Sequence, residues 1–277
     1  MKTGVSKLKK RQISIIGCGW LGFPLAQMLV SKNYKVRSST TTTSKLEKLE
    51  NHGINAFLVT LEEYRISETI SGFLEGSETL IINIPPGLRK NPNKSHVQEI
   101  KNLISFVEKS SIKNVLYISS TSVFEDTFSF SKITDVSKPN ATSNSGSQLI
   151  EIENILKDNQ NFSTTVLRFS GLFDKDRHPG KILSGKTNIS NPDAPINLIH
   201  KNDCIAIITK IIECDLWNED FNASFPNHPI KKEYYKQYCN EHNLELPEFD
   251  ETKPSKGKII ETSRLVQLLA YGYKNDL

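Results

Sequence analysis

Short runs of β-branched and aliphatic residues alternate with segments of helical periodicity along the first 170 residues. The runs stand at residues 13–16, 34–39, 54–59, 79–84 and 114–119. Runs of this length and composition are typical of buried strands in parallel sheets. Apolar residues at helical spacing follow several of them, clearly over 94–109 and more weakly over 62–74. The alternation predicts an α/β fold, a Rossmann-type doubly wound parallel sheet with helices on both faces.

Three glycines at the spacing G-x-G-x-x-G follow the first predicted strand and precede a helical pattern. In that context Gly17 allows the tight turn, Gly19 lets the backbone approach a pyrophosphate, and Gly22 lets the helix pack closely on the strand. The free N–H groups at the helix start would hold the phosphates. We therefore predict a dinucleotide site that also includes Trp20 and Leu21; an ordinary glycine turn is the alternative.

The end of the second predicted strand distinguishes NAD from NADP. NAD sites usually place Asp or Glu there for the ribose 2′-hydroxyl, whereas NADP sites carry groups that accept the 2′-phosphate. Residues 40–45, TTTTSK, contain no acid but offer five hydroxyl groups and a lysine. We predict that Thr40, Thr41 and Lys45 bind the cofactor, with Arg37 as a further cation, and that NADP is preferred over NAD. Alternatively, the run only caps the next helix through Ser44.

Ligands of open α/β sheets bind outside the carboxyl ends of the strands. The fourth predicted strand ends in a stiff Pro-Pro-Gly loop, so Ile84 and Pro85 are assigned to the cofactor site. Ser119, at the end of the fifth predicted strand, is assigned to it as well.

Composition and charge exclude several other classes of function. The chain is 37% hydrophobic with a net charge of +4, and it has no apolar run long enough to span a membrane. The basic residues Lys7, Lys9, Lys10 and Arg11 lack interleaved aromatics, so a solvated tail is favoured over a nucleic-acid arm. Four cysteines without C-x-x-C spacing indicate reduced thiols in the cytoplasm, and the histidines lack metal-ligand spacing.

These features predict a small-molecule substrate, no nucleic acid, no membrane, no metal, and a monomer or homodimer. The letters GKILSGKT at 180–187 match the P-loop pattern. A P-loop must follow a buried strand and open a helix, and the flanking residues predict neither. ATP is therefore not predicted.

Separated segments resemble motifs of the extended short-chain dehydrogenases/reductases. YISSTSVFED at 117–126, VLRFSGLFDKDRHPG at 166–180 and NLIHKNDC at 197–204 resemble the family forms Y-I-S-S-x-x-V-Y-G, L-R-x-x-G-x-Y-G-P-G-R and N-x-I-H-x-x-D. The GCGWLG start, the PPG loop and the C-terminal GKIIETSRLVQLLAYGY are similar to the atypical YeeZ-like NAD-dependent epimerase/dehydratase proteins.

The resemblance implies an NAD(P)-binding Rossmann domain over 1–170. It further implies a smaller substrate-binding region over 171–277, from which about 199–212 returns to the Rossmann core as strand and helix. In this family His200 and Asp203 are mostly architectural, and we expect Asp203 to cap or orient the next helix.

Extended family members use a Ser that binds the substrate oxygen and a Tyr-x-x-x-Lys pair on the following helix. The resemblance places Ser120 at the Ser position. Aligned with the family helix, SGSQLIEIENIL at 145–156 puts Ser145 at the Tyr position and Leu149 at the Lys position. A serine hydroxyl has no accessible anion near neutral pH, and leucine can neither lower a pKa nor contact a ribose. Both catalytic groups are therefore missing.

Another group would have to move the proton. His178, in the loop part of the segment at 166–180, is the candidate acid/base because imidazole titrates near neutral pH. The alternative is a plain surface residue. Glu125 and Asp126, after the serine loop, are further candidates. Two functions stay open: an oxidoreductase or epimerase/dehydratase-like enzyme acting on a small carbonyl, alcohol or sugar-nucleotide compound, and a non-catalytic NADP-binding redox sensor or partner-binding module.

Overall fold

The computed structural model describes residues 11–277, so Lys7, Lys9 and Lys10 of the predicted solvated tail lie outside it. The strands are β1 (Gln12–Ile16), β2 (Lys35–Thr40), β3 (Asn55–Leu58), β4 (Thr79–Ile82), β5 (Asn114–Ser120), β6 (Ser131–Ile133), β7 (Ser163–Phe169), β8 (Gly171–Phe173), β9 (Leu198–His200), β10 (Asp220–Ala223) and β11 (Lys258–Ile260).

The helices alternate with these strands. They are α1 (Gly22–Ser31), α2 (Leu46–Glu50), α3 (Ile70–Leu74), α4 (His96–Val107), α5 (Asn144–Asp158), α6 (Pro179–Leu183), α7 (Lys201–Glu213), α8 (Lys231–Glu241) and α9 (Ser263–Leu269). In α4 the predicted apolar face is buried, and the Ser95 hydroxyl caps the helix by accepting from the Gln98 N–H at 3.1 Å.

Seven strands form one sheet in the order β10-β7-β5-β4-β1-β2-β3. The pairs β1–β2, β1–β4, β2–β3, β4–β5 and β7–β10 are parallel. Strand order reverses direction at β1, which is the arrangement of a doubly wound sheet. The predicted α/β fold class is confirmed.

The chain divides into two compact units. The first unit extends to Tyr117 and includes Leu156–Thr164; the second comprises Ile118–Ile155 and Thr165–Leu277. The domain boundary at residue 170 stays a prediction. In the second unit, residues 198–200 pair with β8 in a two-stranded sheet, and β10 is the strand that the C-terminal part adds to the large sheet.

One local prediction was wrong. The helix predicted over 62–74 is reduced to α3, because residues 60–67 fold into a tight turn held by the antiparallel bridge between Leu61 and Ile66. The polar stretch at 127–147 contains β6, which pairs in parallel with β11. This pairing depends on a partner that is distant in sequence, which local composition does not encode.

His200 and Asp203 have architectural roles, as expected, but the residue that caps the next helix is His200 and not Asp203. His200 is the N-cap of α7, and its Nδ1 accepts from the Asn202 N–H at 3.2 Å. The buried Asp203 carboxylate instead accepts from the Tyr271 hydroxyl at 2.5 Å and the Lys274 N–H at 3.0 Å. Asp203 therefore anchors the C-terminal segment rather than capping the helix.

Within residues 11–277, no helix is both long and apolar enough to cross a membrane. The P-loop-like residues 180–187 lack the structural context that a P-loop needs. Gly180 already lies inside α6, which the His178 ring caps, so these residues do not form a loop between a strand and a helix.

Candidate functional site

The glycine loop of the first unit is a tight turn fixed by two side chains from neighbouring strands. Gly17 has a φ of +102°, a backbone conformation that favours glycine. Its N–H donates to the Ser39 hydroxyl at 3.0 Å, and its carbonyl accepts from Asn83 Nδ2 at 3.0 Å. Neither of these residues was predicted from the sequence. Asn83 directly precedes Ile84, which was assigned to the cofactor site, so its place at the end of the fourth predicted strand could have identified it.

Two of the three glycines are required by close backbone packing. A Cβ on Gly17 would lie 2.3 Å from the Asn83 carbonyl oxygen, and a Cβ on Gly22 would lie 2.2 Å from the Gly17 carbonyl oxygen. Gly19 differs, because a Cβ there would meet no described atom within 4 Å. The open space in front of Gly19 is the place where a pyrophosphate could approach the backbone.

Helix α1 starts directly behind this space. Leu21 is its N-cap and provides no side-chain hydrogen bond to the first turn. The first N–H groups of a helix carry a partial positive charge, so an anion can take the place of the missing cap. Trp20 is half-buried beside them, while Ile84 packs against Gly17 and Pro85 is exposed. The first unit thus brings together the predicted residues Gly17, Gly19, Trp20, Leu21, Gly22, Ile84 and Pro85.

The hydroxyl run after β2 does not cap a helix. Neither the 3₁₀ turn at Thr43–Lys45 nor α2 has a side-chain cap hydrogen bond, so the alternative role for Ser44 is not observed. Thr41 and Lys45 are exposed, whereas Thr40 is buried and its hydroxyl accepts from the Thr42 N–H.

The two cations near the end of β2 lie in different surroundings: Lys45 acts on the glycine loop, whereas Arg37 contacts Gly72 and Phe57. Burial raises the pKa of the Cys18 thiol in the glycine loop, and the charge of Lys45 partly offsets the rise, which places that charge near the loop. Arg37 donates to the Gly72 carbonyl and lies over the Phe57 ring at 5.4 Å. The guanidinium of Arg37 is therefore already engaged, and its role as a 2′-phosphate ligand stays a prediction.

The second unit contains a polar cavity of about 350 Å³ at the carboxyl end of β5. Its lining is rich in hydroxyl, amide and ammonium groups: Ser120, Thr121, Ser122, Asp126, Ser170, Asn191, Asn197, Lys231, Lys256 and Lys258. The Ser120 hydroxyl accepts from the Ser122 N–H at 3.1 Å, so its own proton is available to a ligand.

Asp126 and Glu125, the two candidate acids, lie in different surroundings. Asp126 lines the cavity and forms an ion pair with Lys258 at 2.8 Å. Glu125 accepts from the Thr142 N–H at 2.6 Å and from its hydroxyl at 2.8 Å. These hydrogen bonds lower the pKa of Glu125.

Ser119 belongs to a buried ionic network behind the cavity. Its hydroxyl donates to Glu153 Oε1 at 2.6 Å, so only its backbone is available to a cofactor. Glu153 accepts from Arg168 Nε at 3.0 Å and from its terminal nitrogen at 2.6 Å, and Arg168 also reaches Asp220 at 2.8 Å. Arg168 and Glu153 are each about 1% exposed. This network holds the base of the Ser120 turn against α5 and β7.

The start of α5 packs against the turn that carries Ser120. A Cβ on Gly146 would lie 3.0 Å from the Ser122 carbonyl oxygen. Ser145 is half-buried and Leu149 is buried. Helix α5 has no tyrosine, and its one lysine, Lys157, lies in its last turn. The helix that would carry the Tyr-x-x-x-Lys pair is thus present without the pair.

The structure gives His178 a structural environment. Its ring is buried, and its Nδ1 accepts from the Gly180 N–H at 3.1 Å. Its Nε2 lies 3.0 Å from the Tyr234 hydroxyl, and the ring stacks on Tyr238 at 3.7 Å between centroids. His178 does not line the cavity of Ser120. An acid/base role would require these bonds to break.

Protonation of His178 is expected to destabilise the protein in acid. Burial, with the charges of His242 and Lys181, lowers the pKa of His178 from 6.5 to about 4. Because the unfolded state takes up the proton first, this contribution to stability is complete above pH 6.5. As the pH falls toward 4 this contribution is lost, and the free energy of unfolding decreases by at most about 3 kcal/mol.

Urea unfolding of the wild type and His178→Gln between pH 7 and pH 4 measures this contribution. The variant should lose part of the pH dependence, whereas His52→Gln, at an exposed histidine, should keep it. Identical pH dependence in wild type and His178→Gln would contradict the prediction.

Comparisons with known proteins agree with this arrangement. Residues 12–136 match the family model described as the NAD binding domain of 6-phosphogluconate dehydrogenase. The whole chain is 30% identical to Protein YeeZ of Escherichia coli strain K12 over 269 residues, which cover 95% of this chain and 96% of YeeZ.

Solved structures share the fold at low identity. One is UDP-glucuronic acid 4-epimerase from Bacillus cereus in complex with NAD, with a TM-score of 0.78, 15% identity, and coverage of 96% of this chain and 92% of the epimerase. Another is a short-chain dehydrogenase/reductase superfamily protein from Agrobacterium tumefaciens with bound NAD, with a TM-score of 0.77, 13% identity, and coverage of 96% and 93%.

Proposed function

The chain belongs to the family of the Escherichia coli protein YeeZ, and on this premise we propose that it is an NAD(P)-binding enzyme of the short-chain dehydrogenase/reductase type. Its reaction is oxidoreduction or epimerase/dehydratase-like chemistry on a small carbonyl, alcohol or sugar-nucleotide compound. The observation that carries the proposal is the glycine loop, a turn closed by backbone contacts and open only in front of Gly19.

The residues of the loop fit a dinucleotide. An uncapped helix start and an unobstructed backbone at Gly19 suit a pyrophosphate. When bound, the nicotinamide supplies the hydride acceptor or donor. We propose NADP as the preferred form, because the exposed hydroxyls after β2 and the Lys45 ammonium suit a 2′-phosphate, and residues 35–46 contain no acid for a ribose diol.

NADPH is expected to bind at least about tenfold more tightly than NADH, since a phosphate adds charge-assisted hydrogen bonds. Lys45→Gln should weaken NADPH binding by about tenfold and leave NADH binding unchanged. Lys48→Gln, which removes an exposed charge one turn later, serves as the matched control. Fluorescence titration of the wild type and both variants with each dinucleotide measures these affinities. Equal affinity for the two dinucleotides, or a preference for NADH, would contradict the NADP proposal.

Substrate chemistry is assigned to the cavity beside Ser120. With the Ser122 N–H donating to its oxygen, the Ser120 hydroxyl is oriented to donate its proton to a substrate oxygen. Ser145 and Leu149 cannot supply the proton transfer of the extended family. A water molecule or another cavity group therefore takes that role.

Ser120→Ala is expected to lower turnover by about 100-fold, the typical effect of removing a donor to a developing oxyanion. NADPH oxidation with a panel of aldehydes, ketones and sugar nucleotides provides the assay. Ser122→Ala keeps the backbone N–H that orients Ser120, so it should retain most of the activity. Turnover that is insensitive to Ser120→Ala would remove this residue from the mechanism.

The replacement of the Tyr-x-x-x-Lys pair by Ser145 and Leu149 supports a second candidate function. A protein that kept the dinucleotide site and lost the acid/base pair could act as an NADP-binding redox sensor or partner-binding module. Tight NADPH binding without turnover on the whole panel would favour this function over the enzyme. Under either function we propose a monomer or homodimer whose partners do not include nucleic acid or membrane.

A further inference from the structure

The cavity beside Ser120 carries more positive charge than its surroundings neutralise. Lys231, Lys256 and Lys258 line it, together with a single carboxylate, Asp126. Lys258 is paired: its ammonium contacts Asp126 at 2.8 Å and donates to the Phe124 carbonyl at 2.7 Å.

The ammonium groups of Lys231 and Lys256 have no carboxylate partner of this kind. Lys231 donates to the Ser190 carbonyl at 2.7 Å. Among residues 11–277, no carboxylate lies within ion-pair distance of Lys231 or Lys256. The Lys256 ammonium lies over the Phe128 ring at 4.6 Å, and the charge of Asp126 acts on Lys231 without an ion-pair contact. With three lysines and one carboxylate in its lining, the cavity keeps a net positive charge that an anionic ligand would match.

Hydrogen bonds from two asparagines of the cavity fix the backbone that carries Lys256 and Lys258. Asn191 Oδ1 accepts from the Lys256 N–H at 2.9 Å. Asn197 donates to the Lys258 carbonyl at 2.8 Å and accepts from the Ile260 N–H at 2.9 Å. The positions of Lys256 and Lys258 are thus part of the folded structure of the second unit.

A buried hydroxyl in the same cavity lacks a hydrogen-bond partner. Ser170 is 5% exposed, and no group of the described residues lies within hydrogen-bonding distance of its Oγ. Burial of an unpaired hydroxyl is unfavourable, and so is the partial burial of Lys231, which lowers the pKa of its ammonium. An anionic oxygen accepts hydrogen bonds from hydroxyl and ammonium groups alike, so a ligand that carries such oxygens would compensate for both costs.

We propose that this cavity binds an anionic group of the substrate, a phosphate or a carboxylate, through Lys231, Lys256 and the hydroxyl of Ser170. Lys258, neutralised by Asp126, shapes the cavity rather than binding the anion. The substrate class is thereby narrowed to compounds with an anionic group close to the oxygen that Ser120 contacts. This step deepens the proposed function, on which the placing of the substrate at Ser120 rests.

Isothermal titration calorimetry of the full chain with inorganic phosphate and with malonate tests the proposal. Ionic strength is held constant with NaCl, and no dinucleotide is present. At least one anion should bind saturably, with a Kd of about 1 mM or below. Lys231→Gln and Lys256→Gln should each weaken that binding by about tenfold or more. Lys253→Gln removes the same charge from a side chain that is 81% exposed and outside the cavity, and it should leave binding unchanged.

The pattern of binding distinguishes the two ligand chemistries. Binding of phosphate alone indicates a phosphate group, and binding of malonate alone indicates a carboxylate. Absence of saturable binding of both anions would overturn the proposal, as would binding that neither Lys231→Gln nor Lys256→Gln weakens, because the anion would then occupy another site such as the glycine loop.

Further variants and a cofactor titration distinguish a failure of this inference from misfolding and from a failure of the proposed function. Lys256 is exposed, so its variant should fold even if Lys231→Gln does not, and Lys231→Arg keeps the charge and should retain binding. Anion binding unaffected by the cavity variants, in a protein that binds NADPH, would contradict only this inference. A wild-type protein that binds the anion in the cavity but does not bind NADPH would contradict only the proposed function.

Discussion

Gly22→Ala is expected to abolish measurable NADPH binding and to lower the free energy of unfolding by about 2–3 kcal/mol, the usual range for overpacking. The added Cβ would lie 2.2 Å from the Gly17 carbonyl oxygen. That oxygen is held by Asn83 and cannot move away as a flexible side chain could. Either α1 shifts or the loop opens, and both changes disturb the helix start that would hold the phosphates.

Gly19→Ala provides the matched control, because it makes the same chemical change three residues earlier. Its Cβ would meet no atom of residues 11–277 within 4 Å, so the temperature of unfolding should stay close to that of the wild type. NADPH binding should still weaken, since the methyl group would occupy the space proposed for the pyrophosphate. Thermal unfolding and NADPH titration of the three proteins measure both effects. Unchanged NADPH affinity in Gly19→Ala would place the dinucleotide elsewhere.

Glu153→Gln is expected to lower the free energy of unfolding by about 3–5 kcal/mol, because it leaves the buried Arg168 guanidinium short of a counter-charge. The variant is nearly isosteric, so the loss reports the charge rather than a cavity. Asp220 remains bonded to Arg168 at 2.8 Å, but its side chain is 23% exposed and compensates only in part. The Ser119 hydroxyl would also lose its carboxylate acceptor.

An exposed ion pair in the same unit is the control that separates the effect of burial from the effect of removing a charge. Lys132 and Glu261 lie 3.3 Å apart, with side chains that are 70% and 36% exposed. Glu261→Gln should change the free energy of unfolding by about 1 kcal/mol or less, as is typical of surface pairs. Urea unfolding at pH 7 compares the two variants. Similar losses for Glu153→Gln and Glu261→Gln would show that the Glu153–Arg168 pair contributes no more than a surface pair.

Much of the fold was predictable from local patterns. The apolar runs at 13–16 and 79–84 overlap the observed strands β1 and β4 almost completely, because a short β-branched run has few alternatives to a buried strand. The glycine spacing predicted a turn whose requirement for glycine is visible at Gly17 and Gly22. The loss of the Tyr-x-x-x-Lys pair is likewise a matter of residue identity, and the described structure of α5 leaves it unchanged.

The candidate site was predictable only where it is local in sequence. Ser120 is the last residue of β5 and follows the predicted strand directly, so its position at the strand end could be inferred from the chain alone. Arg37 and His178 were plausible by residue type, but the first is bound to the Gly72 carbonyl and the second caps α6. Which polar side chains are already engaged by other residues is a property of packing, and no short pattern encodes it.

The amino-acid sequence determined the class of sheet, the turn at the glycine loop and the absence of the usual acid/base pair, because each depends on residues within one or two elements. Tertiary structure alone decided which distant groups meet. It brought Lys231, Lys256 and Lys258 into one cavity with Ser120, more than a hundred residues earlier in the chain, and it buried Arg168 against Glu153. Such encounters depend on the paths of the loops between elements, which are set by packing and by hydrogen bonds such as those of Asn191 and Asn197.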